Sequence, residues 1–497
     1  MRFVSEVMKN KPNLEDDKST VKGSVMYKNL RINMYNVLFF ALFLLILFPG
    51  WYFSIGNLYL RVPVIIALIT LTSCMSLKFS SLQSNILCFL INKNFRIFFY
   101  WIIWVILSGL CVILAGRNTL EHYVSEILTR IFPLIIIPVF LGFTLAKKYD
   151  IEKIIKFYYL FVFTVLLLGV LDFVLSYLNI DLFREIFVNN RILRTQSMSG
   201  VLKANYMGIP RIQSVFDEPS YLGRFICLHL PFLYEIKNHT HIFRKWFLKF
   251  CTILAWIILF LTMSPIFLVA GISITGVYHF IKSGKSLLKL FVAGCTASIL
   301  TVLFFYIILN ADLEWTFLSR IQATLRGMTS FMTFVYVEPS LANRIINYIN
   351  GFLVFLKYPV LGTGFGNAST YLYKQFMHSP VPLTYEIIGW ISTPGCRTIN
   401  YAVFWNLLTE TGICGWLLFY LFMYRLMQNI SKFRKKYLFG NYSIFLNSLI
   451  SVIFLYVILS IYDSNITECY LWVVIGFIIG ITYRIKKQWK YWIIKSH

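Results

Sequence analysis

Long apolar runs constrain this chain more than any other feature of its sequence. A run of about 18 or more apolar residues is long enough to cross the hydrocarbon core of a bilayer as a helix. In lipid, only helices and closed barrels satisfy their own backbone polar groups. The sequence therefore predicts an all-α polytopic membrane protein with about 12 transmembrane helices. They are expected at residues 34–55, 62–78, 97–116, 124–146, 154–178, 220–236, 246–263, 264–281, 287–309, 400–424, 442–461 and 468–484.

Composition and charge agree with this class. Of the 497 residues, 58% are hydrophobic and 13% are charged, whereas a soluble domain carries about 25% charged residues. A formal net charge of +25 would point to nucleic acid in a soluble protein. Here most of the 46 Lys and Arg lie on one face of the membrane when the amino terminus is placed in the cytoplasm. The charge therefore predicts that both termini are cytoplasmic and gives no reason to expect nucleic acid.

The spans and loops divide the chain into parts with different expected roles. The polar amino-terminal segment leads into a full-length span, so no cleavable signal is predicted. Long loops in a compact fold are usually functional, so we expect function in the two long external ones. The parts are a cytoplasmic basic tail (1–33), spans one to five (34–178), the first long external loop (179–219), spans six to nine (220–309), the large external loop (310–399), spans ten to twelve (400–484) and a cytoplasmic tail (485–497).

Cations in the first long external loop run against the charge preference. Outward-facing Lys and Arg are expected mainly where they bind something, and the guanidinium fork of Arg matches phosphate oxygens. The loop is therefore predicted to hold an anionic group. The alternative is that these cations pair with neighbouring carboxylates and lipid phosphates. They are Arg184, Arg191, Arg194, Lys203 and Arg211.

An acidic pair ends the same loop. Asp217 and Glu218 stand directly before Pro219, at the predicted start of a helix. Carboxylates are favoured there by the helix dipole and the free backbone N–H groups, which is a sufficient structural explanation. A functional explanation also exists, because a carboxylate beside arginines at the membrane boundary could act as general base for a sugar hydroxyl. Glu218 is the candidate base.

The large external loop contains a predicted amphipathic helix. Apolar residues recur at helical spacing, with Arg344, Asn347, Asn350 and Lys357 between them, which predicts a helix lying at the membrane interface. Pro359 and a run of glycines are expected to end it in a tight turn near polar headgroups. No preceding strand and no clear following helix accompany the glycines, so a dinucleotide site is improbable. The apolar residues are Ile345, Ile346, Ile349, Phe352, Leu353 and Leu356.

Charges inside the spans are costly in lipid and are therefore functional candidates. Arg130 and Asp172 lie at similar depths in the fourth and fifth spans. Either they pair with each other, or Arg130 faces an outward cavity. Arg224 lies one turn into the sixth span and is expected either to snorkel or to bind substrate. Glu410 lies in the tenth span, where Gly412 and Gly415 are expected to allow close helix approach.

Three segments, in this order and placement, resemble motifs of a known family. They are Arg211-x-x-Ser214-x-Phe216-x-x-Pro219-x-x-Leu222-Gly223 before a span, Arg344 followed by an apolar stretch and Pro359-x-x-Gly362-x-Gly364-x-Gly366, and Leu407-x-x-Glu410-x-Gly412-x-x-Gly415 after the large loop. Together with the span pattern, they resemble the Wzy-type O-antigen and capsular polysaccharide polymerases and the related O-antigen ligases.

The resemblance implies an inner-membrane glycosyltransferase whose active site faces outward. It would move a glycan from undecaprenyl pyrophosphate to the terminal sugar of another lipid-linked unit, without metal or other cofactor. Arg211 and Arg344 would hold the pyrophosphate and stabilise the departing lipid diphosphate, with Glu218 as base. The expected partners are the lipid-linked oligosaccharide, membrane lipid and a chain-length regulator protein. The residues assigned to substrate binding are Arg191, Arg194, Arg130, Arg224, Arg397, Asn400 and Tyr221.

Other functions stay open at this stage. O-antigen ligases carry a histidine just ahead of the third motif, where this chain has Arg397-Thr-Ile-Asn400, with His378 the nearest histidine. That departure favours a polymerase. A transporter or flippase is the main alternative class, although transporters usually have two equivalent halves and no such repeat is seen. A purely structural subunit is a further alternative.

Overall fold

The fold is described from a computed structural model of the chain. It describes residues 52–55, 58–61, 93–117, 119–149, 151–178, 180, 212, 214, 216, 219–236, 245–262, 264–283, 335, 339–392, 402–436, 441–462 and 469–496. The predicted spans at 62–78 and 287–309 lie outside these residues, as do residues 34–51 of the first predicted span.

Helices make up nearly all of the described chain. They are α1 (Lys93–Leu114), α2 (Leu120–Glu126), α3 (Ile137–Lys148), α4 (Ile151–Tyr177), α5 (Pro219–Ile236), α6 (Lys245–Leu261), α7 (Pro265–Ser283), α8 (Pro339–Lys357), α9 (Ala368–Phe376), α10 (Tyr385–Ser392), α11 (Val403–Lys436), α12 (Asn441–Tyr462) and α13 (Cys469–Ser496). The predicted break at Ser264-Pro265 is confirmed, because α6 ends at Leu261 and α7 begins at Pro265. Helix α13 runs on through most of the predicted cytoplasmic tail.

Two elements depart from the all-α prediction of regular spans. Strands β1 (Tyr52–Ile55) and β2 (Leu58–Arg61) form an antiparallel hairpin, so the last four residues of the first predicted span are not helical. In the fourth span, the ten residues Ile127–Ile136 between α2 and α3 form a π-helix. Pro133 lies inside it and lacks a backbone N–H, so an ordinary α-helical ladder would be broken there in any case.

Four described helices are long and apolar enough to cross a membrane. They are Arg96–Leu114, Leu120–Lys147, Glu152–Tyr177 and Val403–Lys432, and shorter apolar stretches occur at Ser448–Val457 and Leu471–Arg484. The protein is therefore an α-helical membrane protein.

An aromatic seam fixes the register of α1 against α11. Phe98 packs on Phe422 with ring centroids 5.3 Å apart, and Trp101 packs on Phe419 at 5.5 Å. Trp101 also stacks on Trp472 of α13 at 5.9 Å. Since lipid tails are as apolar as these rings, close packing rather than exclusion of water holds such helices together. Helices α1 and α11 thus run antiparallel at a defined relative depth.

Small residues bring α3 and α13 into backbone contact. A side chain at Gly142 would collide with backbone atoms of α13 near Val473, and one at Gly476 would collide with the carbonyl of Val139. Gly480 lies equally close to Phe143. This arrangement is typical of membrane helices that pack through small residues.

A small helical unit packs against the bundle. Helices α8, α9 and α10 share a separate apolar core, which includes Ile346, Val354, Leu372, Phe376 and Ile387. The unit is formed by the large loop predicted to be external. Its connection back to the bundle forms the candidate site.

Candidate functional site

The glycine turn after α8 docks onto a break in α11. Thr363 donates its backbone N–H to the carbonyl of Thr409 at 2.8 Å, and Gly364 donates to that of Glu410 at 2.9 Å. In return, Ile413 donates to the carbonyl of Pro359 at 2.8 Å. The second and third sequence motifs are therefore in direct contact. Contrary to the prediction, the turn packs on α11 instead of headgroups, and α9 begins directly after it at Ala368.

Gly412 makes this docking possible. Its φ of 65° and ψ of −172° interrupt α11, and a side chain there would collide with the Val360 carbonyl. A positive φ is costly for any residue with a Cβ. The sequence placed Gly412 at a helix crossing, but it lies at a helix break that receives the turn. Gly415 does lie at a close approach, against Trp104 of α1.

Three charged side chains meet beside the turn. Arg130 forms an ion pair with Glu126, one helical turn away, with 2.7 Å between Nε and Oε2. The side chain of Glu410 lies near the backbone N–H groups of Gly366 and Ala368, and within electrostatic range of both Arg130 and Glu126. We call Glu126, Arg130 and Glu410 the charged cluster. Two carboxylates share one guanidinium in it.

The cluster is buried on its acidic side. Glu126 and Glu410 are 3% and 5% exposed, whereas the Arg130 side chain is 28% exposed. Gly366 lies so close to Glu126 that a side chain there would contact its carboxylate. Charges inside a membrane bundle are expensive to bury and usually functional. The arrangement can hold a proton or offer a partly exposed guanidinium to an anion.

Sequence reasoning missed Glu126 as a member of this site. The signal was present, since Glu126 and Arg130 are four residues apart on one helix, the spacing at which opposite charges pair. The predicted alternative pairing of Arg130 with Asp172 is wrong. Asp172 instead accepts the backbone N–H of Ser214 at 2.9 Å and lies 3.4 Å from the hydroxyl of Ser176.

The connection between α1 and α2 reaches the same turn. The guanidinium carbon of Arg117 lies 4.8 Å from the ring centre of Tyr358. The Tyr371 hydroxyl donates to the carbonyl of Arg117 at 3.3 Å, and the rings of Tyr358 and Tyr371 are 5.2 Å apart. Burial and Tyr358 raise the pKa of Tyr371 while Arg117 opposes the rise, so its hydroxyl stays a donor at neutral pH. These contacts tie α9 to the end of the bundle.

Helix α8 forms as predicted but buries a different face. Asn343, Asn347 and Asn350 are buried, while Phe352 and Leu356 are exposed. The Asn343 amide donates to Glu386, and its carbonyl oxygen accepts from Thr384. The asparagines therefore face the rest of the small unit together with Ile346 and Val354, whereas the predicted apolar residues Phe352 and Leu356 point away from it. Arg344 is half-buried on this helix.

The first motif inserts into the bundle beside α4 and α6. Ile212, Ser214 and Phe216 are all buried. The Ser214 hydroxyl donates to the carbonyl of Val165 at 3.1 Å, and Ile212 donates to that of Leu261 at 3.3 Å. Ser214 has a φ of 53°, which a non-glycine residue adopts only where its surroundings hold it. Ser214 is thus bonded to the middle of α4, and Ile212 to the end of α6.

Arg224 does not snorkel as one prediction had it. It is 3% exposed, and its guanidinium carbon lies 5.1 Å from the ring centre of Tyr221 and 5.8 Å from that of Phe267. Cation–π contacts of this kind stabilise a guanidinium away from water. The predicted substrate-binding residues Arg224 and Tyr221 therefore lie together, on α5.

Several predicted site residues lie outside the part of the chain that the structure describes. They are Arg191, Arg194, Arg211, Glu218, Arg397 and Asn400. Among the described residues, no three of His, Cys, Asp and Glu are grouped closely enough to hold a metal ion. No protein-family model matches the chain, and no curated protein matches its sequence.

Proposed function

We propose that the protein polymerises lipid-linked oligosaccharide repeat units at the outer face of a bacterial inner membrane, in O-antigen or capsule biosynthesis. The supporting observation is that the second and third motifs, separated by much of the large loop, are joined by backbone hydrogen bonds next to a charged cluster. The proposal includes about 12 spans with both termini in the cytoplasm.

The proposed reaction is a glycosyl transfer between two lipid-linked units. The bond between the anomeric carbon and the diphosphate oxygen breaks, and a new bond forms from an acceptor hydroxyl to that carbon. Undecaprenyl diphosphate leaves with the bonding electrons, and Glu218 takes the hydroxyl proton. Arg211 and Arg344 hold the diphosphate as its charge develops. Arg130, with its partly exposed guanidinium, is the candidate for a further contact to the donor.

A gene deletion tests the function directly. We expect surface polysaccharide resolved on a gel to collapse to a single repeat unit in the deletion strain. An unchanged ladder of chain lengths would rule out a polymerase. Long chains that stay on their lipid and never reach their final acceptor would instead indicate a ligase.

Arginine variants test the mechanism. Arg211→Ala or Arg344→Ala should abolish chain extension at normal protein level, while Arg184→Ala, in the same loop as Arg211, serves as the matched control and should matter less. Full activity of Arg211→Lys would contradict bidentate recognition of phosphate, because lysine lacks the planar fork.

The break in α11 favours a second candidate, a flippase or transporter. Interrupted helices and charged groups inside the bundle are typical of transporter binding sites. The same deletion strain separates the two functions. Loss of a flippase leaves no repeat unit on the outer surface, whereas loss of a polymerase leaves one.

A further inference from the structure

Helix α8 runs parallel to the start of α11 and descends beside it. Tyr348 stacks on Trp405 with ring centroids 5.7 Å apart. Further along, the Thr409 hydroxyl lies 3.4 Å from the carbonyl of Gly351. The two segments contact each other again where the backbone N–H of Ile413 donates to the carbonyl of Pro359. Residues further along α8 therefore contact residues further along α11, deeper in the bundle.

The length of helix α1 gives a scale for depth in the membrane. Its apolar span, Arg96–Leu114, has 19 residues and a length of about 28 Å, close to the thickness of the hydrocarbon core. Trp104, near its middle, donates from Nε1 to the carbonyl of Thr411 at 2.9 Å. The antiparallel register of α1 and α11 puts Leu114 level with the first turn of α11. Thr411 therefore lies roughly 7–12 Å below the outer end of α1. Gly364 of the turn lies against Val112 and Gly109, roughly 3–8 Å below that end.

The backbone of the turn can lie at this depth in the membrane. Irregular backbone is tolerated in a membrane only where protein covers it and its polar groups are bonded. Residues 362–368 are all buried. Gly362 donates to the carbonyl of Tyr358 at 3.1 Å, and Asn367 donates to that of Gly364 at 3.1 Å. Together with the bonds to α11, these contacts satisfy the turn internally.

The exposed side of the same segment is apolar except for Lys357. Phe352, Leu356 and Val360 are 43%, 55% and 53% exposed. Nearby, the ammonium of Lys357 bonds to the Gln375 side chain at 2.8 Å. Gln375 lies at the far end of α9, which returns from the turn, so the charge is drawn away from the tip as snorkelling lysines are.

We propose that the carboxyl-terminal half of α8 and the glycine turn re-enter the bilayer, with Phe352, Leu356 and Val360 in contact with lipid acyl chains. On α11, Leu417 and Leu421 are exposed further along the helix. The large loop is thus not wholly external. The inference is independent of the polymerase proposal, because it concerns topology and holds for a transporter as well.

Cysteine labelling tests the insertion. Phe352→Cys, Leu356→Cys and Val360→Cys are made singly in the full chain, and cells are treated with a charged, membrane-impermeant maleimide. The native chain gives the background from its own nine cysteines. Leu107→Cys, on the exposed face of α1, is the lipid-facing control, and Tyr385→Cys, on α10, is the water-facing control. We expect the three test positions to react at least about tenfold more slowly than position 385, because a charged reagent is excluded from hydrocarbon.

A second measurement separates burial in lipid from burial in protein. A bimane fluorophore is attached to the same cysteines in detergent, and the labelled protein is reconstituted with lipids carrying a doxyl quencher on their acyl chains. Quenching as strong as at position 107 supports the proposal. Maleimide labelling as fast as at position 385, or bimane fluorescence that the doxyl lipids leave unchanged, would overturn it.

Discussion

Arg130 is the residue on which the charged cluster depends. It pairs with Glu126 at 2.7 Å and lies within electrostatic range of Glu410, so it is the single cation facing two buried carboxylates among the described residues. Breaking a buried ion pair by removing one partner leaves an uncompensated charge and costs about 3–5 kcal/mol. The two ways of breaking this pair are not equivalent, because they leave different charges behind.

We predict that Arg130→Gln destabilises the protein far more than Glu126→Gln. The first variant leaves two carboxylates without a counter-charge, whereas the second leaves Arg130 beside Glu410 and removes the repulsion between the acids. The difference is measured as the shift in apparent melting temperature of each variant. Protein is heated in detergent, and the folded fraction that remains is determined by size-exclusion chromatography. Arg425→Gln, an exposed cation on α11, is the control and should shift stability by no more than about 0.5 kcal/mol. Equal losses from both cluster variants would contradict this account.

Gly412→Ala should lower the melting temperature sharply. The substitution puts a side chain on a backbone conformation that is populated almost only by glycine, which costs about 1–3 kcal/mol, and pushes it into the Val360 carbonyl. Gly276→Ala on α7 is the matched control, since nothing lies within 4 Å of its added carbon. That control should be neutral or slightly stabilising, because alanine favours helix over glycine. A harmless Gly412→Ala would show that the break in α11 does not need glycine.

The sequence located the charged residues of the spans but not their partners. The prediction paired Arg130 with Asp172 because the two residues lie at similar depths in their spans, and the sequence alone gives that depth. A contact also depends on the direction in which each side chain points. The π-helix at Ile127–Ile136 takes more residues per turn than an α-helix, so it changes that direction for Arg130. Pro133 is the only feature of the sequence that indicated an irregular helix at this position.

At the scale of elements, α8 shows why a polar stripe does not always face water. Asn343, Asn347 and Asn350 recur at helical spacing, and the sequence pattern predicted Asn347 and Asn350 on the polar side of the helix. In the fold, Asn350 donates to the Ser379 hydroxyl at 3.1 Å, and Asn347 donates to the carbonyl of Asn343 at 2.7 Å. The helix and its end were predictable from periodicity and Pro359. Its orientation was not, because asparagines and apolar residues such as Ile346 and Val354 are buried together on it.

We predict that Asn343→Ala loosens α10 without affecting the bundle. Asn343 bonds both Glu386 and Thr384, so its loss leaves two groups without that partner, at a cost of about 1–3 kcal/mol. Hydrogen exchange measured by mass spectrometry should show faster exchange of backbone N–H groups in Tyr385–Ser392 and unchanged exchange in Lys93–Leu114. Lys374→Ala, at an exposed position of α9 in the same small unit, is the control. Unchanged exchange in α10 would show that other contacts hold it.

At the scale of the whole molecule, the charge preference makes a topological prediction. Ala115 lies at the end of α1 that contacts the small unit, and Lys153 lies in the first turn of α4; both are exposed. In intact cells, Ala115→Cys should react with an impermeant maleimide. Lys153→Cys should react only after permeabilisation, because it follows a predicted cytoplasmic loop. The reverse pattern would invert the topology and place the charged cluster near the cytoplasm.

The backbone contact between α3 and α13 has a consequence for how the protein is made. Helix α3 ends at Lys148 and its partner begins at Cys469, about 300 residues later in synthesis. At about 5–20 residues per second, α3 waits on the order of 15–60 s in the membrane before the surface around Gly142 is covered. During that interval the nascent bundle presents a narrow, small-residue groove to other helices. Correct assembly therefore depends on this groove staying open until α13 is inserted.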